Sequence, residues 1–131
     1  RGVPLPLGAI DKNKRSLVYI DNLVDLIRTC LSSSAARNLT LVVSDDKDVS
    51  TKQLLQLIAG ALGVKSRLIY FPITLIKFMG LLVGRKGVEQ KLCSSLQVSI
   101  GHTKDVLRWD PPYSMEDGLR LTAEWFHKFG R

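Results

Sequence analysis

Three cationic residues lie in the predicted turn before a short apolar run, near the start of this 131-residue sequence. Lys12, Lys14 and Arg15 stand directly before residues 16–20, whose apolar and β-branched side chains predict a short buried strand. A guanidinium held at the end of such a strand points in a fixed direction and can bind two anionic oxygens at once. From these residues alone, a solvated turn residue is the favoured interpretation of Arg15, and solubility alone is a sufficient role for the cluster. An anion site at the end of the strand is the alternative.

The charge of the whole chain also favours an anionic partner. The net charge is +7 and the pI is about 9.7, as is common in proteins that bind nucleic acid, membrane surfaces or phosphorylated small molecules. A second cationic cluster comprises Arg85, Lys86 and Lys91, and the other cations are scattered. The sequence has no long basic run and few interleaved aromatic residues, so a small polyanion is favoured over an RNA-stacking surface.

Residue types that perform catalysis or bind metals do not form a recognisable motif in this chain. There is no glycine-rich nucleotide loop, no nucleophile elbow and no Tyr-x-x-x-Lys pair, so we name no catalytic residue. Cys30 and Cys93 are predicted to be buried thiols, and His102 and His127 add no ligand cluster to them, so no metal site is expected. The acidic turn 45–48 lacks the glycine and distal glutamate of a calcium loop, which favours a solvated turn.

The elements that must position these residues are short strands and helices in alternation. We expect an α/β or α+β domain with three or four short strands and about five helices, too few strands for a complete Rossmann sheet. Trp109 and Trp125 are predicted to pack in the interior rather than to stack on bases. No segment has the length of a transmembrane helix. The predicted extended segments are 2–10, 16–20, 39–45, 67–71 and the short piece 96–100. The predicted helices are 23–31 after an Asp21 cap, 54–63 after a Ser50–Gln53 capping box, 72–84, 87–96, 102–109 and 114–129 after a Ser114–Asp117 cap.

Four segments, taken in order, resemble one family. PLPLG near the start, RSLVYIDNL from residue 15, LVVSDDKDVSTKQLLQLIAGALG from residue 41 and SLQVSIGHTKDVLRWDPPYSMEDGLRLTAEWF from residue 95 are similar to the C-terminal part of extended short-chain dehydrogenases/reductases. RSLVYIDNL resembles the family's Arg-Asp-Tyr-x-x-Val-x-Asp-Leu block, and SIGHTKDVLRWDPP resembles its Asp-x-Ser-Lys-x-x-x-x-Leu-Gly-Trp-x-Pro block. The most similar branch comprises bacterial enzymes that act on UDP-sugars in polysaccharide biosynthesis.

The resemblance implies a function for the chain as a part of an enzyme. In this family an N-terminal Rossmann domain holds NAD and supplies the catalytic Ser, Tyr and Lys, while the smaller C-terminal region holds the nucleoside diphosphate of the substrate. Residues 1–131 are thus expected to be the C-terminal substrate-binding domain of an NAD-dependent epimerase, dehydratase or dehydrogenase, without the NAD-binding domain. We expect it to be inactive alone, and cytoplasmic and homodimeric as part of the whole enzyme, with no nucleic-acid partner and no membrane span.

The same resemblance implies which residues bind the UDP-sugar. Leu5 and Leu7 are expected beside the uracil, Arg15 at the diphosphate, and Lys91 as a second cation in place of a family arginine. Two other functions stay open from the sequence: a basic module that binds nucleic acid or membrane surfaces, and an interaction domain that keeps the fold without the site. The departures from the family's last block are Ser99, Gly101, His102 and Arg108.

Overall fold

The computed structural model describes residues 11–66 and 94–130. These contain four α-helices, one short 3₁₀ helix and two two-residue strands that pair with each other, which confirms the predicted mixed α/β class. The elements predicted at 2–10, 67–71, 72–84 and 87–96 lie outside these ranges wholly or for the greater part. In chain order the elements are β1 (Arg15–Ser16), α1 (Ile20–Ser32), the 3₁₀ helix (Ser34–Ala36), β2 (Asp48–Val49), α2 (Thr51–Ala61), α3 (Gly101–Leu107) and α4 (Met115–Phe129).

The chain divides into two compact units, and each unit is assembled from two separate stretches. The first unit comprises residues 1–15 and 49–96, and the second comprises residues 16–48 and 97–131. Charge is distributed very unequally between them. The first unit contains eleven Lys and Arg against two Asp and Glu, a net charge of +9, whereas the second contains eight against ten, a net charge of −2. The positive excess of the whole chain therefore belongs to the first unit.

The core of the second unit is built around α1. Leu26 of α1, Ile100 and Trp109 form its buried cluster, and the indole Nε1 of Trp109 donates a hydrogen bond to Asp25 Oδ2 at 2.8 Å. The prediction that Trp109 packs in the interior is confirmed. Cys30 is half-buried rather than fully buried, and Cys93 lies outside the described residues. The partly buried residues that pack against the cluster are Cys30, Val43 and Leu107.

A buried carboxylate, Asp45, holds the start of α1. Its Oδ1 accepts hydrogen bonds from the backbone N–H of Tyr19 at 2.9 Å and from Asn22 Nδ2 at 2.7 Å. Asn22 is fully buried, and it also exchanges two hydrogen bonds with the backbone of Tyr113, 91 positions later in the chain. Buried polar groups need such partners. The prediction of a solvated acidic turn is therefore wrong for Asp45, although Asp46 is exposed; Asp48 is also exposed but belongs to β2.

The boundary between β1 and α1 differs from the prediction. The strand predicted over residues 16–20 ends at Ser16, and the helix begins at Ile20 with Tyr19 rather than Asp21 at its N-cap. Tyr19 makes no side-chain capping bond. Asp45 instead accepts the N–H at this end of the helix from 26 positions away, so a long-range contact overrides the strand-like composition.

Residues 39–45 do not form the predicted strand. No residue of this stretch takes part in a β-ladder within the described part of the chain. At Val42 the side chain of α3 residue Thr103 replaces a neighbouring strand: its hydroxyl accepts from the Val42 N–H at 3.2 Å and donates to the Val42 C=O at 2.7 Å. Leu41 and Val43 are half-buried while Val42 is exposed, so the alternation typical of a strand is still present.

The two helix starts predicted from capping pairs three residues apart, those of α2 and α4, are confirmed. In α2 the Ser50 hydroxyl accepts from the Gln53 N–H at 3.1 Å, and the Gln53 side chain accepts from the Ser50 N–H at 2.9 Å. Gly63 follows the end of α2 with a φ of 66°, a conformation that glycine adopts without strain. In α4 the Ser114 hydroxyl accepts from the Asp117 N–H at 3.1 Å.

The N-terminal half of α4 packs closely in the second unit, whereas its C-terminal half is exposed. A Cβ added at Gly118 would lie 2.8 Å from the Cβ and Cγ atoms of Tyr19, so only glycine permits this approach. Trp125 is 61% exposed, and its ring contacts that of Phe129 on the same helix. The prediction that Trp125 packs in the interior is therefore wrong, and Phe126 and Phe129 in the same half of the helix are exposed as well.

Candidate functional site: a cationic segment in the first unit

The cationic segment 12–15 is bound to the start of α2 through Asn13. Asn13 is buried; its Nδ2 donates to Thr51 Oγ1 at 2.7 Å, and its Oδ1 accepts from the Thr51 backbone N–H at 3.1 Å. Thr51 is the first residue of α2, where the helix dipole places partial positive charge. Asn13 thereby brings the cationic segment to the positive end of a helix.

The backbone of the segment is also fixed on its other side by residues 95 and 96. The Lys14 N–H donates to Ser95 Oγ at 3.0 Å, and the Leu96 N–H donates to the Lys14 carbonyl at 2.8 Å. Arg15 forms a parallel β-bridge with Leu96. These contacts hold the Cα atoms of Lys14 and Arg15 in place, so the directions in which their side chains leave the backbone are set by the fold.

The two lysines of this segment, Lys12 and Lys14, are not engaged by carboxylates of the described residues. Lys12 and Lys14 are exposed, and neither lies within ion-pair distance of a carboxylate in residues 11–66 or 94–130. Arg15 is half-buried, so part of its side chain is shielded from water while part remains accessible. Exposed ammonium groups beside a partly shielded guanidinium favour a bound polyanion over simple chloride, because several charges act on one ligand.

Three cations of the second unit, Lys47, Lys104 and Arg120, in contrast form ion pairs with carboxylates. Lys104 Nζ lies 2.6 Å from Asp110 Oδ1 and 2.8 Å from Asp46 Oδ2, and hydrogen bonds to these two groups raise the pKa of Lys104 to about 12. Lys47 forms an ion pair with Glu116, and its hydrogen bond lowers the pKa of that carboxyl. The second unit thus balances its own charges.

Only one of the predicted site residues lies in the described part of the chain. Arg15 occupies β1, whereas Leu5, Leu7 and Lys91 fall outside it, so their positions relative to Arg15 stay predictions. Sequence analysis did not find Asn13, whose role comes from Thr51, 38 positions away. An asparagine between two lysines gives no local sign of burial.

The residues that depart from the family's last block lie at the two ends of α3. Ile100 is the N-cap and makes no side-chain capping bond, while Ser99 Oγ accepts from the Gly101 N–H at 3.5 Å, the outer limit of a hydrogen bond. His102 is exposed. Arg108, which follows α3, has a left-handed φ of 49°. Within the described ranges no three His, Cys, Asp or Glu residues group together as a metal site would require.

Comparison with known proteins places the chain in a family. Over 126 residues, 96% of the chain, it is 44% identical to a UDP-glucose 4-epimerase from Vibrio cholerae, of which it spans only the C-terminal 38%. A solved structure, Pal from Bacillus thuringiensis, has a similar fold, with a TM-score of 0.64 and 22% identity over 95% of this chain and 35% of that one. No protein-family model matches the chain.

The sequence match confirms the resemblance inferred from the motifs. The chain belongs to the extended short-chain dehydrogenase/reductase family, as a C-terminal region of it. It spans little more than a third of the curated relative, so it is an epimerase-related part of a protein. None of its described helices combines the length and apolar character needed to cross a bilayer.

Proposed function

We propose that this chain binds the nucleoside diphosphate of a UDP-sugar, with Arg15 as its principal contact to the diphosphate. The observation that carries the proposal is the confinement of the positive excess, +9, to the unit that contains Arg15. Asn13, Ser95 and Leu96 fix the backbone around Arg15, as a residue that recognises a ligand requires. The match to a UDP-glucose 4-epimerase supports a UDP-sugar as the polyanion.

The other contacts of the proposed site come from the family resemblance. Leu5 and Leu7 lie against the uracil, and Lys91 adds a point charge at the diphosphate. A lysine there binds less specifically than an arginine, because its ammonium cannot contact two oxygens in a fixed plane. Most of the binding free energy then comes from Arg15 and from the surrounding positive field.

The chemistry of the whole enzyme belongs to residues outside this chain. The sequence contains no glycine-rich strand-to-helix turn that could hold a dinucleotide and no Tyr-x-x-x-Lys pair, so its residues do not fit NAD. We assign NAD and catalysis to the remaining part of an epimerase, dehydratase or dehydrogenase that functions in bacterial polysaccharide synthesis. The chain alone is inactive, and the whole enzyme is a cytoplasmic homodimer.

Replacement of Arg15 by alanine tests the proposal. We expect Arg15→Ala to weaken UDP binding by about 10-fold or more at low ionic strength, because it removes a charge-assisted contact to the diphosphate. The loss should be smaller at high salt, where screening already weakens the contact. Isothermal titration calorimetry with UDP at two salt concentrations measures both effects.

Arg37→Ala is the matched control. Arg37 is exposed and belongs to the second unit, so this variant loses the same charge outside the proposed site and should bind UDP as the wild type does. An Arg15→Ala protein whose affinity at low salt equals that of wild type would overturn the role of Arg15.

A second function is favoured by the same +9 charge: a general polyanion module. It predicts tight binding to a short DNA duplex, a steep dependence on salt and no competition by free UDP. Titration of the chain with such a duplex, with and without saturating UDP, separates the two functions. Saturable UDP binding with weak, salt-labile DNA binding supports the nucleotide-sugar site.

A further inference from the structure

The contact between Asn13 and Thr51 is made by a neutral amide at a position where a carboxylate would also fit. The Thr51 N–H can only donate, so the amide oxygen of Asn13 faces it, at 3.1 Å, and the amide nitrogen donates to Thr51 Oγ1, at 2.7 Å. A hydroxyl can donate as well as accept, so Thr51 can give both its N–H and its O–H to a carboxylate. An aspartate at position 13 would therefore also be bonded twice to Thr51.

Stability alone would favour an aspartate at this position. Thr51 is the first residue of α2, where the helix dipole stabilises a negative charge. Lys12 and Lys14 are the chain neighbours of Asn13, and Arg15 follows, so a carboxylate would also have three cations near it. Asn13 is only 4% exposed, but two hydrogen-bond donors, a helix N-terminus and nearby cations are what a buried carboxylate requires. An asparagine is thus not needed for folding.

The neutral amide leaves the positive charge of the segment to a ligand. Residues 11–15 contain three cations and one carboxylate, Asp11, so their net charge is +2, and an aspartate at position 13 would lower it to +1. Because position 13 is buried, water and salt would screen this added charge only weakly. The added charge would repel the diphosphate that binds at Arg15 under the proposed function. Asn13 holds the segment to α2 without this repulsion.

We propose that Asn13 is a positioning residue of the nucleotide site and that its lack of charge is required for binding. Asn13 fixes the backbone beside Arg15 by its bonds to Thr51, and it leaves the positive field of the segment and of the α2 N-terminus to act on the diphosphate. This inference rests on the proposed function. It explains why an asparagine lies among three cations at a helix start where an aspartate would be at least as stable.

Two substitutions at position 13 test the proposal in this chain, because they separate charge from stability. Asn13→Asp keeps the acceptor and adds a charge, so its melting temperature should equal or exceed that of the parent while its affinity for UDP falls by about 10-fold. Asn13→Ser is neutral but shorter, so its melting temperature should fall by several degrees while its affinity for UDP stays within about threefold of the parent's. A purely structural role would make affinity follow stability in both variants. Thermal melts followed by circular dichroism and calorimetric titration with UDP measure the two quantities.

Gln53→Glu is the matched control. It makes the same change from amide to carboxylate in the first turn of the same helix, and glutamate can still accept from the Ser50 N–H. Gln53 is exposed, so water screens the added charge, and the affinity for UDP should change by less than about threefold.

Titration with inorganic pyrophosphate shows which part of the ligand the added charge acts on. Asn13→Asp should weaken pyrophosphate binding by about the same factor as UDP binding, because the repulsion acts on the phosphates and not on the base. Asn13→Asp binding UDP as tightly as the parent would overturn the proposal. Should Asn13→Asp fail to fold, Asn13→Ser decides the question: a 10-fold or larger loss of UDP affinity in this neutral variant would overturn it.

The same titrations separate this inference from the proposed function. A loss of UDP affinity in Arg15→Ala together with an unchanged affinity in Asn13→Asp would refute the role of Asn13 and leave the nucleotide site intact. A parent chain that binds neither UDP nor pyrophosphate would refute the proposed function, and this inference with it.

Discussion

Asp45 is 9% exposed, and its carboxylate faces two donors, the Tyr19 N–H and the Asn22 side chain. Replacement by asparagine keeps its shape but removes the charge and turns an N–H₂ group toward one of those donors. We expect Asp45→Asn to lower the free energy of unfolding by about 2–3 kcal/mol. Urea denaturation followed by circular dichroism measures this change.

Asp46→Asn provides the comparison for Asp45. Asp46 is exposed and its carboxylate pairs with Lys104, an arrangement of small net stability in water. Its φ of 55° is also one that asparagine tolerates. Asp46→Asn should unfold close to the wild-type midpoint, and an equal loss in the two variants would mean that the burial of Asp45 does not matter.

Individual residues also show which parts of the structure could be predicted from the sequence and which could not. The role of Arg15 is predicted from the resemblance of RSLVYIDNL to the family's block, because the residues of that block are adjacent in the sequence, and it stays a prediction. The burial of Asn13 and Asp45 could not be predicted, because each is defined by partners far along the chain: Thr51 for Asn13, and Tyr19 and Asn22 for Asp45. Polar residues in a charged stretch are ordinarily solvated, so burial here depends on tertiary contacts.

At the level of elements, local signals predicted helix starts well. The caps of α2 and α4 each involve residues three positions apart, so the sequence contains both partners. The stretch 39–45 has strand composition, but a strand also needs a neighbour, and none is present among the described residues. The strand prediction failed because this stretch has no neighbouring strand among the described residues, and not because its residues disfavour a strand.

The end of α3 provides an element-scale prediction. Arg108 adopts φ 49° and ψ 41°, which is unfavourable for a residue with a Cβ and ordinary for glycine, the residue of the family's motif at this position. Arg108→Gly should therefore raise the free energy of unfolding by about 0.5–1 kcal/mol. Arg108→Ala removes the same charge without this conformational freedom, so it should give no gain; an alanine variant as stable as the glycine variant would refute the explanation.

At the level of the whole molecule, the two separate stretches of the second unit can be joined into one continuous chain. Gln97 Nε2 donates to Asp48 Oδ2, and Ser16 Oγ bonds both Asp48 and the Val98 N–H, so the two stretches of this unit meet at residues 48 and 97. We expect a protein in which residues 16–48 are joined to 97–131 by a short Gly-Ser linker to unfold cooperatively, and to bind no UDP. Near-ultraviolet circular dichroism and urea titration test this.

The same joined unit carrying Asp45→Asn is the control. This variant lacks the Asp45 carboxylate that binds the start of α1, so its unfolding transition should move to a lower urea concentration or lose cooperativity. A joined unit without any cooperative transition would show that the second unit depends on the first for its folding.

The pairing of Asn22 with Tyr113 has a consequence for how the protein is made. A ribosome adds about 5–20 residues per second, so the 91 positions between these partners take roughly 5–18 seconds to synthesise. Throughout that interval Leu26 of α1 lacks Ile100 and Trp109, the partners of its core cluster. The nascent chain thus exposes this apolar surface of α1 until residues 100–113 have been synthesised, and we expect α1 to be a site for chaperones that attend the ribosome.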